Sequence, residues 1–228
     1  MKKKKIILVI GPQASGTKLT ASICKTFFGC AGEVSGGSFP PPDKDTSSLM
    51  IRYSAPAGCN SKFTKSGLVE NKFFPSLNHD IAWVNLDDLL SRVRDLYNPH
   101  QIYLLCPIRD YTFTIKSLMA QGMTLDGSRD IHDMSLEFVM SSIKKCKNLE
   151  DVKFQWLSYE FLTYDTETCL KALSQEMEMP IILDDKTFKE KCDLIVPRNK
   201  YHLKPSGNYK AATHQLGDET RKIIAERE

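Results

Sequence analysis

An apolar run that ends in a glycine-bounded turn constrains the fold of this chain more than any other feature. Ile6 to Ile10 are consecutive apolar residues, Gly11 and Gly16 bound the turn, and a helical pattern runs from Thr17 to about Phe28. This order predicts a buried strand, a loop and a helix. The backbone N–H groups of such a loop and the positive end of the helix dipole attract anions. The stretch therefore predicts a phosphate-binding loop, with a purely structural turn as the alternative.

The position of the lysine distinguishes this loop from a Walker A loop. A Walker A loop carries its lysine directly after the second glycine, followed by a hydroxyl residue. Here Thr17 follows Gly16 and Lys18 comes next, so the two residue types are exchanged. A nucleoside triphosphate held with Mg²⁺ in the usual way is therefore disfavoured. A kinase with an atypical loop stays open, with Asp184-Asp185 as its nearest metal-binding candidate.

Bulk composition narrows the class of protein. A chain of 228 residues that is 41% hydrophobic suits one globular domain, and we take residues 1–228 as that domain. A formal net charge of +3 is too small to indicate a nucleic-acid partner. The seven cysteines are odd in number and form no C-x-x-C pair, which disfavours a disulfide framework or a zinc ribbon and favours a reducing compartment. No apolar run approaches the roughly 18 residues of a membrane span. We expect a cytoplasmic protein that binds neither nucleic acid, membrane nor metal.

Strand and helix patterns alternate along the chain. The strand patterns cover residues 6–10, 81–84, 101–107 and 152–158. The helix patterns cover residues 17–28, 86–96, 111–121, 134–147, 166–177 and 218–228. Such alternation predicts an α/β fold with three layers, α/β/α, around a central parallel sheet. Residues 35–79, which are rich in Gly, Ser, Pro and Lys, are predicted to form an irregular insertion or lid.

A second candidate anion site follows the strand at residues 101–107. Arg109 comes at the carboxyl end of that strand, where ligands bind in open α/β sheets. Ser117 follows eight residues later and faces the same way if a helix begins near Tyr111. An arginine offers a planar fork of donors to a phosphate group, and a serine adds one hydroxyl. Taken alone, this pair is better explained by an arginine at the rim of the sheet and a helical serine packed nearby.

Three separated blocks resemble the sulfotransferases, whose sulfuryl donor is 3′-phosphoadenosine-5′-phosphosulfate (PAPS). The Ser-Gly-Thr order at residues 15–17 resembles the family's 5′-phosphosulfate loop. Arg109 and Ser117 resemble its 3′-phosphate motif. Residues 154–173 are similar to its strand, Tyr-Glu turn and following helix. The resemblance covers most of the chain between residues 6 and 177.

The resemblance implies a fold, a reaction and a donor site. The fold would be the P-loop NTPase-like fold of the sulfotransferase type. The reaction would be transfer of a sulfuryl group from PAPS to a hydroxyl or amine of a small molecule or glycan, with no metal required. A basic segment at residues 198–210 resembles the family's C-terminal loop, which closes over the donor. The implied donor-binding residues are Gly11, Ser15, Gly16, Thr17, Lys18, Leu19, Arg109, Ser117, Tyr159, Lys204 and Lys210.

The resemblance also suggests catalytic residues and shows one departure. The family usually places a lysine or arginine directly before Ser-Gly-Thr, where the cation assists the leaving group, and here that position is Ala14. Lys18, or a basic residue of the 198–210 segment, is expected to substitute. An acceptor hydroxyl needs a base. Glu33, in a glycine-rich stretch after the first helix, is the first candidate, and His79 is the second.

Two alternatives to the sulfotransferase hypothesis stay open. One is the kinase with an atypical loop, which metal dependence would reveal. The other is a catalytically degenerate protein of the same fold, which binds the nucleotide without turnover and is suggested by Ala14. The Arg52–Pro56 stretch is expected to line the acceptor pocket.

Overall fold

A computed structural model describes residues 4–42, 47–55, 69–74 and 79–195. The side chains of residues 55, 69–74 and 79–82 lie outside this description, as do residues 196–228. In chain order the elements are β1 (Lys5–Pro12), α1 (Thr17–Phe28), β2 (Ser48–Ala55), β3 (Val69–Phe74), β4 (His79–Val84), α2 (Leu86–Tyr97), β5 (Gln101–Ile108), α3 (Tyr111–Met119), α4 (Leu125–Cys146), β6 (Val152–Ser158), α5 (Tyr159–Tyr164), α6 (Thr166–Glu176) and α7 (Asp185–Asp193).

Four parallel strands form the central sheet in the order β2-β1-β5-β6. Ile7 of β1 lies beside Met50 of β2 and Tyr103 of β5, which fixes the register of the three strands. Alternate residues of a strand point to opposite faces, and both faces of β1 are buried. A strand buried on both sides reads as a continuous apolar run, which is why residues 6–10 are so informative. The predicted α/β fold with a central parallel sheet is confirmed.

Helices cover both faces of this sheet. A first core lies between the sheet and helices α2 and α4, and it includes Leu8 of β1 and Leu89 of α2. A second core lies between the sheet and helices α1, α6 and α7, and it includes Val9 of β1 and Phe27 of α1. Each core forms because its helices present apolar side chains at a spacing of three or four residues. The arrangement agrees with the predicted three layers.

Several elements differ from the sequence prediction. The segment at residues 35–79 is not irregular throughout, because it contains β2 and β3, and β3 pairs antiparallel with β4. The long helix α4 begins at Leu125 rather than at residue 134, since Thr124 caps it by accepting from the N–H of Gly127 at 3.1 Å. Helix α7 was not predicted, because its sequence is mostly charged. The helix predicted at residues 218–228 and the basic segment at 198–210 lie outside the described residues.

The carboxyl ends of the four parallel strands meet at one edge of the sheet. They end at Pro12, Ala55, Ile108 and Ser158. The segments that follow these ends carry most of the predicted donor-binding residues. In an open parallel sheet, this is the edge where ligands bind.

Candidate functional site

The loop between β1 and α1 brings a helix N-terminus to this edge. The N–H of Ser15 donates to the carbonyl of Pro12 at 3.2 Å and closes a turn. Gly16 then adopts a left-handed conformation, with φ 103°, and is the N-cap of α1. The first N–H groups of a helix have no partner inside it and carry its positive partial charge. The loop therefore presents donors and positive potential to an anion.

The hydroxyl of Ser15 is a polar group that needs a partner. Ser15 is only 1% exposed, and its Oγ has no hydrogen-bond partner among the residues that the structure describes. A Cβ placed on Gly11 would lie 2.9 Å from this Oγ, so the hydroxyl points across the loop. A buried polar atom left unsatisfied costs about 1–3 kcal/mol. An anion held inside the loop would accept from this hydroxyl, so the residues present fit such a ligand.

Arg52 of β2 contacts the first residue of α1. Its Nε donates to Thr17 Oγ1 at 3.2 Å, and its Nη2 donates to Ser54 Oγ at 2.9 Å. The hydroxyls of Thr17 and Ser54 also lie 2.9 Å apart. Burial lowers the pKa of Arg52 from its ordinary value, although an arginine remains charged at neutral pH. Sequence reasoning placed residues 52–56 only in an acceptor pocket, and the contact with Thr17 became visible once β2 was seen to pair with β1.

Tyr159 lies between Arg109 and the same loop. The guanidinium carbon of Arg109 lies 4.5 Å from the centre of the Tyr159 ring and 5.7 Å from that of Phe113. A Cβ on Gly16 would lie 2.6 Å from Cδ2 of Tyr159, so the tyrosine ring covers the glycine. Only glycine permits both this close approach and the positive φ. The structure thus brings together three of the predicted donor-binding residues, which come from three separate segments.

Ser117 connects to the loop through two glutamines that sequence reasoning missed. Gln121 Nε2 donates to the carbonyl of Ser117 at 3.1 Å, and Gln121 Oε1 accepts from Gln13 Nε2 at 3.2 Å. Gln13 belongs to the β1–α1 loop, so helix α3 is tied to that loop. No sequence pattern marks either glutamine, because a single hydrogen bond between exposed amides leaves no periodic signal.

Glu160 joins the ends of β5 and β6 beside Arg109. Its Oε1 accepts from the backbone N–H of Asp110 at 2.9 Å, and its Oε2 accepts from Ser158 Oγ at 3.3 Å. These bonds fix the turn that carries Arg109 relative to the turn that carries Tyr159. The Tyr-Glu pair of the sequence therefore has a structural role at the site. Tyr159 stacks on Arg109, and Glu160 accepts the hydrogen bonds that connect the two turns.

The remaining predicted donor-binding residues lie around the loop in different environments. Lys18 is exposed on the first turn of α1. Leu19 packs its side chain against the second core, so only its backbone could face an anion. Lys204 and Lys210 lie outside the described residues.

Two predicted catalytic residues, Glu33 and His79, lie outside the β1–α1 loop. Glu33 is exposed, and its Oε2 accepts from Ser35 Oγ at 3.4 Å. Its carbonyl accepts from the N–H of Gly36 at 3.0 Å, which closes a turn. His79 begins β4 opposite Phe74, and its side chain lies outside the described residues.

Ala14, directly before Ser15, has an unusual backbone conformation and apolar neighbours. Its φ is +66°, a left-handed conformation that is uncommon for a residue with a Cβ. Its side chain packs against the first core. The position at which the family usually has a cation thus carries a methyl group directed at apolar side chains.

Possible metal clusters, membrane spans and reactive thiols can be checked against the described residues. Within residues 4–42, 47–55, 69–74 and 79–195, no group of three or more His, Cys, Asp and Glu side chains could hold a metal ion. The helices of the same residues include none with the length and hydropathy of a membrane span. The thiols in this part of the chain are buried, and burial raises the pKa of Cys30 and of Cys106 to about 12. Such thiols are poor nucleophiles at neutral pH.

Comparison with known proteins adds no family to this description. No protein-family model matches the chain, and no curated protein matches it. The fold and the geometry of the site are therefore the basis for a functional proposal.

Proposed function

We propose that this protein is a sulfotransferase that binds PAPS at the carboxyl edge of its sheet and transfers the sulfuryl group to a hydroxyl or amine of a small molecule or glycan. The observation that supports the proposal best is the meeting of two anion-binding elements at one place. The N-terminus of α1, with a Ser15 hydroxyl that has no partner in the described part of the chain, and the guanidinium of Arg109 both lie against Tyr159. A ligand with two separate phosphate groups suits such a site.

The roles of the residues follow from the donors they present. Backbone N–H groups of the first turn of α1, together with the hydroxyls of Ser15 and Thr17, would hold the 5′-phosphosulfate. Arg109 would form a charge-assisted pair with the 3′-phosphate, to which Ser117 would add a hydroxyl. During transfer, the bond from sulfur to the phosphate oxygen breaks as the bond to the acceptor oxygen or nitrogen forms. Donors fixed in place beforehand stabilise the charge that develops on the leaving oxygen.

The acceptor must lose a proton in this reaction. We assign Glu33, an exposed carboxylate in the segment that follows α1, as its base. Its segment is attached to the loop through Arg52, which donates from Nη1 to the carbonyl of Ser35 at 2.7 Å. The proton of the acceptor would pass to the Glu33 carboxylate as the new bond to sulfur forms.

Calorimetric titration with adenosine 3′,5′-bisphosphate tests the donor site directly. We expect the bisphosphate to bind without metal and more tightly than ATP with Mg²⁺. Arg109→Ala should weaken binding by about 1.5–3 kcal/mol, or about 10- to 150-fold, because a charge-assisted pair is lost. Arg92→Ala, on the exposed side of α2, is the matched control and should leave the affinity unchanged.

Three other results would redirect the proposal. Binding of Mg-ATP alone would favour the kinase with an atypical loop and remove the assigned roles of Arg109 and Ser117. Tight binding of the bisphosphate, with no sulfuryl transfer from PAPS to any of a panel of phenols, alcohols, amines and sugars, would favour the degenerate nucleotide-binding protein. An Arg109→Ala variant with unchanged affinity would contradict the site as drawn.

A further inference from the structure

Arg52 has its donors engaged by two different parts of the site. On one side its Nε and Nη2 donate to the hydroxyls of Thr17 and Ser54. On the other side its Nη1 donates to the carbonyls of Ser35 at 2.7 Å and Val34 at 3.3 Å. A single guanidinium therefore joins the first residue of α1 to the segment at residues 33–37.

These contacts set the position of the Thr17 hydroxyl. Arginine donates and cannot accept, so both hydroxyls must accept from Arg52. The two hydroxyls also lie 2.9 Å apart, and either can donate to the other. Arg52 therefore fixes the positions of both hydroxyl oxygens. In this arrangement the Thr17 hydroxyl is held at the start of α1, beside the β1–α1 loop.

The 33–37 segment is fitted to the backbone of Arg52 as well as to its side chain. The N–H of Gly37 donates to the carbonyl of Arg52 at 3.1 Å. Gly36 has φ +82°, and a Cβ there would lie 2.8 Å from that carbonyl oxygen and 3.0 Å from Nη1. A side chain at position 36 would therefore force the segment away from Arg52. Glu33 begins this segment, so its position depends on the same contacts.

We infer that Arg52 is a positioning residue that couples the donor loop to the acceptor side of the site. It fixes the position of the Thr17 hydroxyl beside the donor loop, and it holds the 33–37 segment, with Glu33, relative to that hydroxyl. The inference rests on the proposed function for the identity of the ligand, although the coupling itself is a property of the free protein. A lysine would keep the charge at position 52 but lacks the planar fork needed to reach both sides at once.

Hydrogen exchange of the free protein tests the coupling without any ligand. In Arg52→Lys, we expect faster amide exchange both in residues 33–37 and in the first turn of α1. Gly36→Ala keeps the arginine but places a Cβ 3.0 Å from its Nη1, so it should displace both the segment and the guanidinium and also speed exchange in both regions. Arg94→Lys is the matched control, because Arg94 makes a bidentate contact with Asp151 outside the site. This variant should change amide exchange in neither region.

A double-mutant cycle on ligand affinity tests whether Arg52 acts through the Thr17 hydroxyl or only stabilises the fold. Thr17→Val removes the hydroxyl, and we expect it to weaken binding of adenosine 3′,5′-bisphosphate by about tenfold. Arg52→Lys should weaken binding by a similar factor in the wild-type background but have little further effect in the Thr17→Val background. If Arg52 only supported the fold, the two effects would multiply.

The two proposals fail in different ways. If the wild-type protein binds no bisphosphate, the proposed function is wrong, while the exchange experiment still decides the coupling. If exchange in residues 33–37 or in the first turn of α1 is unchanged in both Arg52→Lys and Gly36→Ala, the coupling is wrong. Should Arg52→Lys not fold, Gly36→Ala alone decides, because unchanged exchange at Thr17 would then overturn the inference.

Discussion

At the scale of single residues, the left-handed backbone of Ala14 lowers the stability of the folded protein at the candidate site. A residue with a Cβ in the left-handed region is disfavoured by roughly 1–2 kcal/mol, whereas glycine is not. We therefore expect Ala14→Gly to leave the free energy of unfolding unchanged or to raise it by up to about 1 kcal/mol, since relief of strain offsets the added freedom of the unfolded chain. Urea denaturation followed by circular dichroism measures the change.

The same substitution at a right-handed position is the control for Ala14. Ala120 has φ −64° and ψ −15° at the end of α3, a conformation that suits alanine. Ala120→Gly should therefore lower the free energy of unfolding by about 0.5–1 kcal/mol. A loss at Ala14→Gly equal to that at Ala120→Gly would show that the methyl contact of Ala14 with the first core outweighs its backbone strain.

At the scale of elements, one ion pair connects α2 to the start of β6. Arg94 Nε and Nη2 donate to the two carboxylate oxygens of Asp151, each at 2.8 Å. The hydrogen bond from Arg94 lowers the pKa of Asp151. Both side chains are more than a third exposed, so solvent screens the pair and we expect Asp151→Asn to cost about 0.5–1 kcal/mol at pH 7. Chemical denaturation of both proteins at several pH values measures this cost.

The pH dependence of that difference has a definite sign. A carboxylate with a lowered pKa in the folded state stabilises the protein above its unfolded pKa, which is about 3.9. The difference in the free energy of unfolding between wild type and Asp151→Asn should therefore have its full value at pH 7. It should shrink as the pH falls below about 4 and vanish below the pKa of Asp151 in the folded state. Glu178→Gln breaks a more exposed single contact to Lys153 at 3.4 Å, and it should change stability less at every pH. A constant difference down to pH 2 would argue against the ion pair as its cause.

The elements that sequence predicted well are those whose patterns are long and uniform. Strand β1 could be predicted from residue types alone because it is buried on both faces and therefore apolar throughout. Strand β6 begins and ends at the predicted residues. Strand β2 was missed because Arg52 interrupts its apolar residues and polar stretches flank it. The start of α4 was missed because Asp126 and Gly127 obscure the apolar spacing of its first turns.

At the scale of the whole molecule, the site depends on contacts that link distant segments. The β1–α1 loop and Arg109 could be predicted because each follows a clear strand. The contact of Arg52 with Thr17 could not, since it requires the register of β2 against β1. Likewise, the stacking of Tyr159 on Arg109 follows from the parallel pairing of β5 and β6. Sequence therefore suggested which segments carry the chemistry, and the topology supplied their contacts.

Burial predicts how the described thiols of the molecule react. The described cysteines are Cys24, Cys30, Cys106, Cys146, Cys169 and Cys192, and all of them are buried. Burial raises the pKa of each, to about 11 for Cys146 and Cys169. We expect a Cys59→Ser variant, which lacks the one cysteine outside the described residues, to react with maleimide at pH 8 only as fast as it unfolds.

The same burial predicts how stability changes at alkaline pH. Unfolded thiols ionise above about pH 8.5, whereas the folded ones keep their protons. The folded state therefore binds more protons than the unfolded state in that range, and the free energy of unfolding should fall as the pH rises above 8.5.

Maleimide labelling in increasing urea should follow the unfolding transition seen by circular dichroism. Complete labelling in the absence of urea, with the circular dichroism spectrum intact, would contradict the burial of these side chains, because a thiol sealed in a packed core is reached only when that core opens.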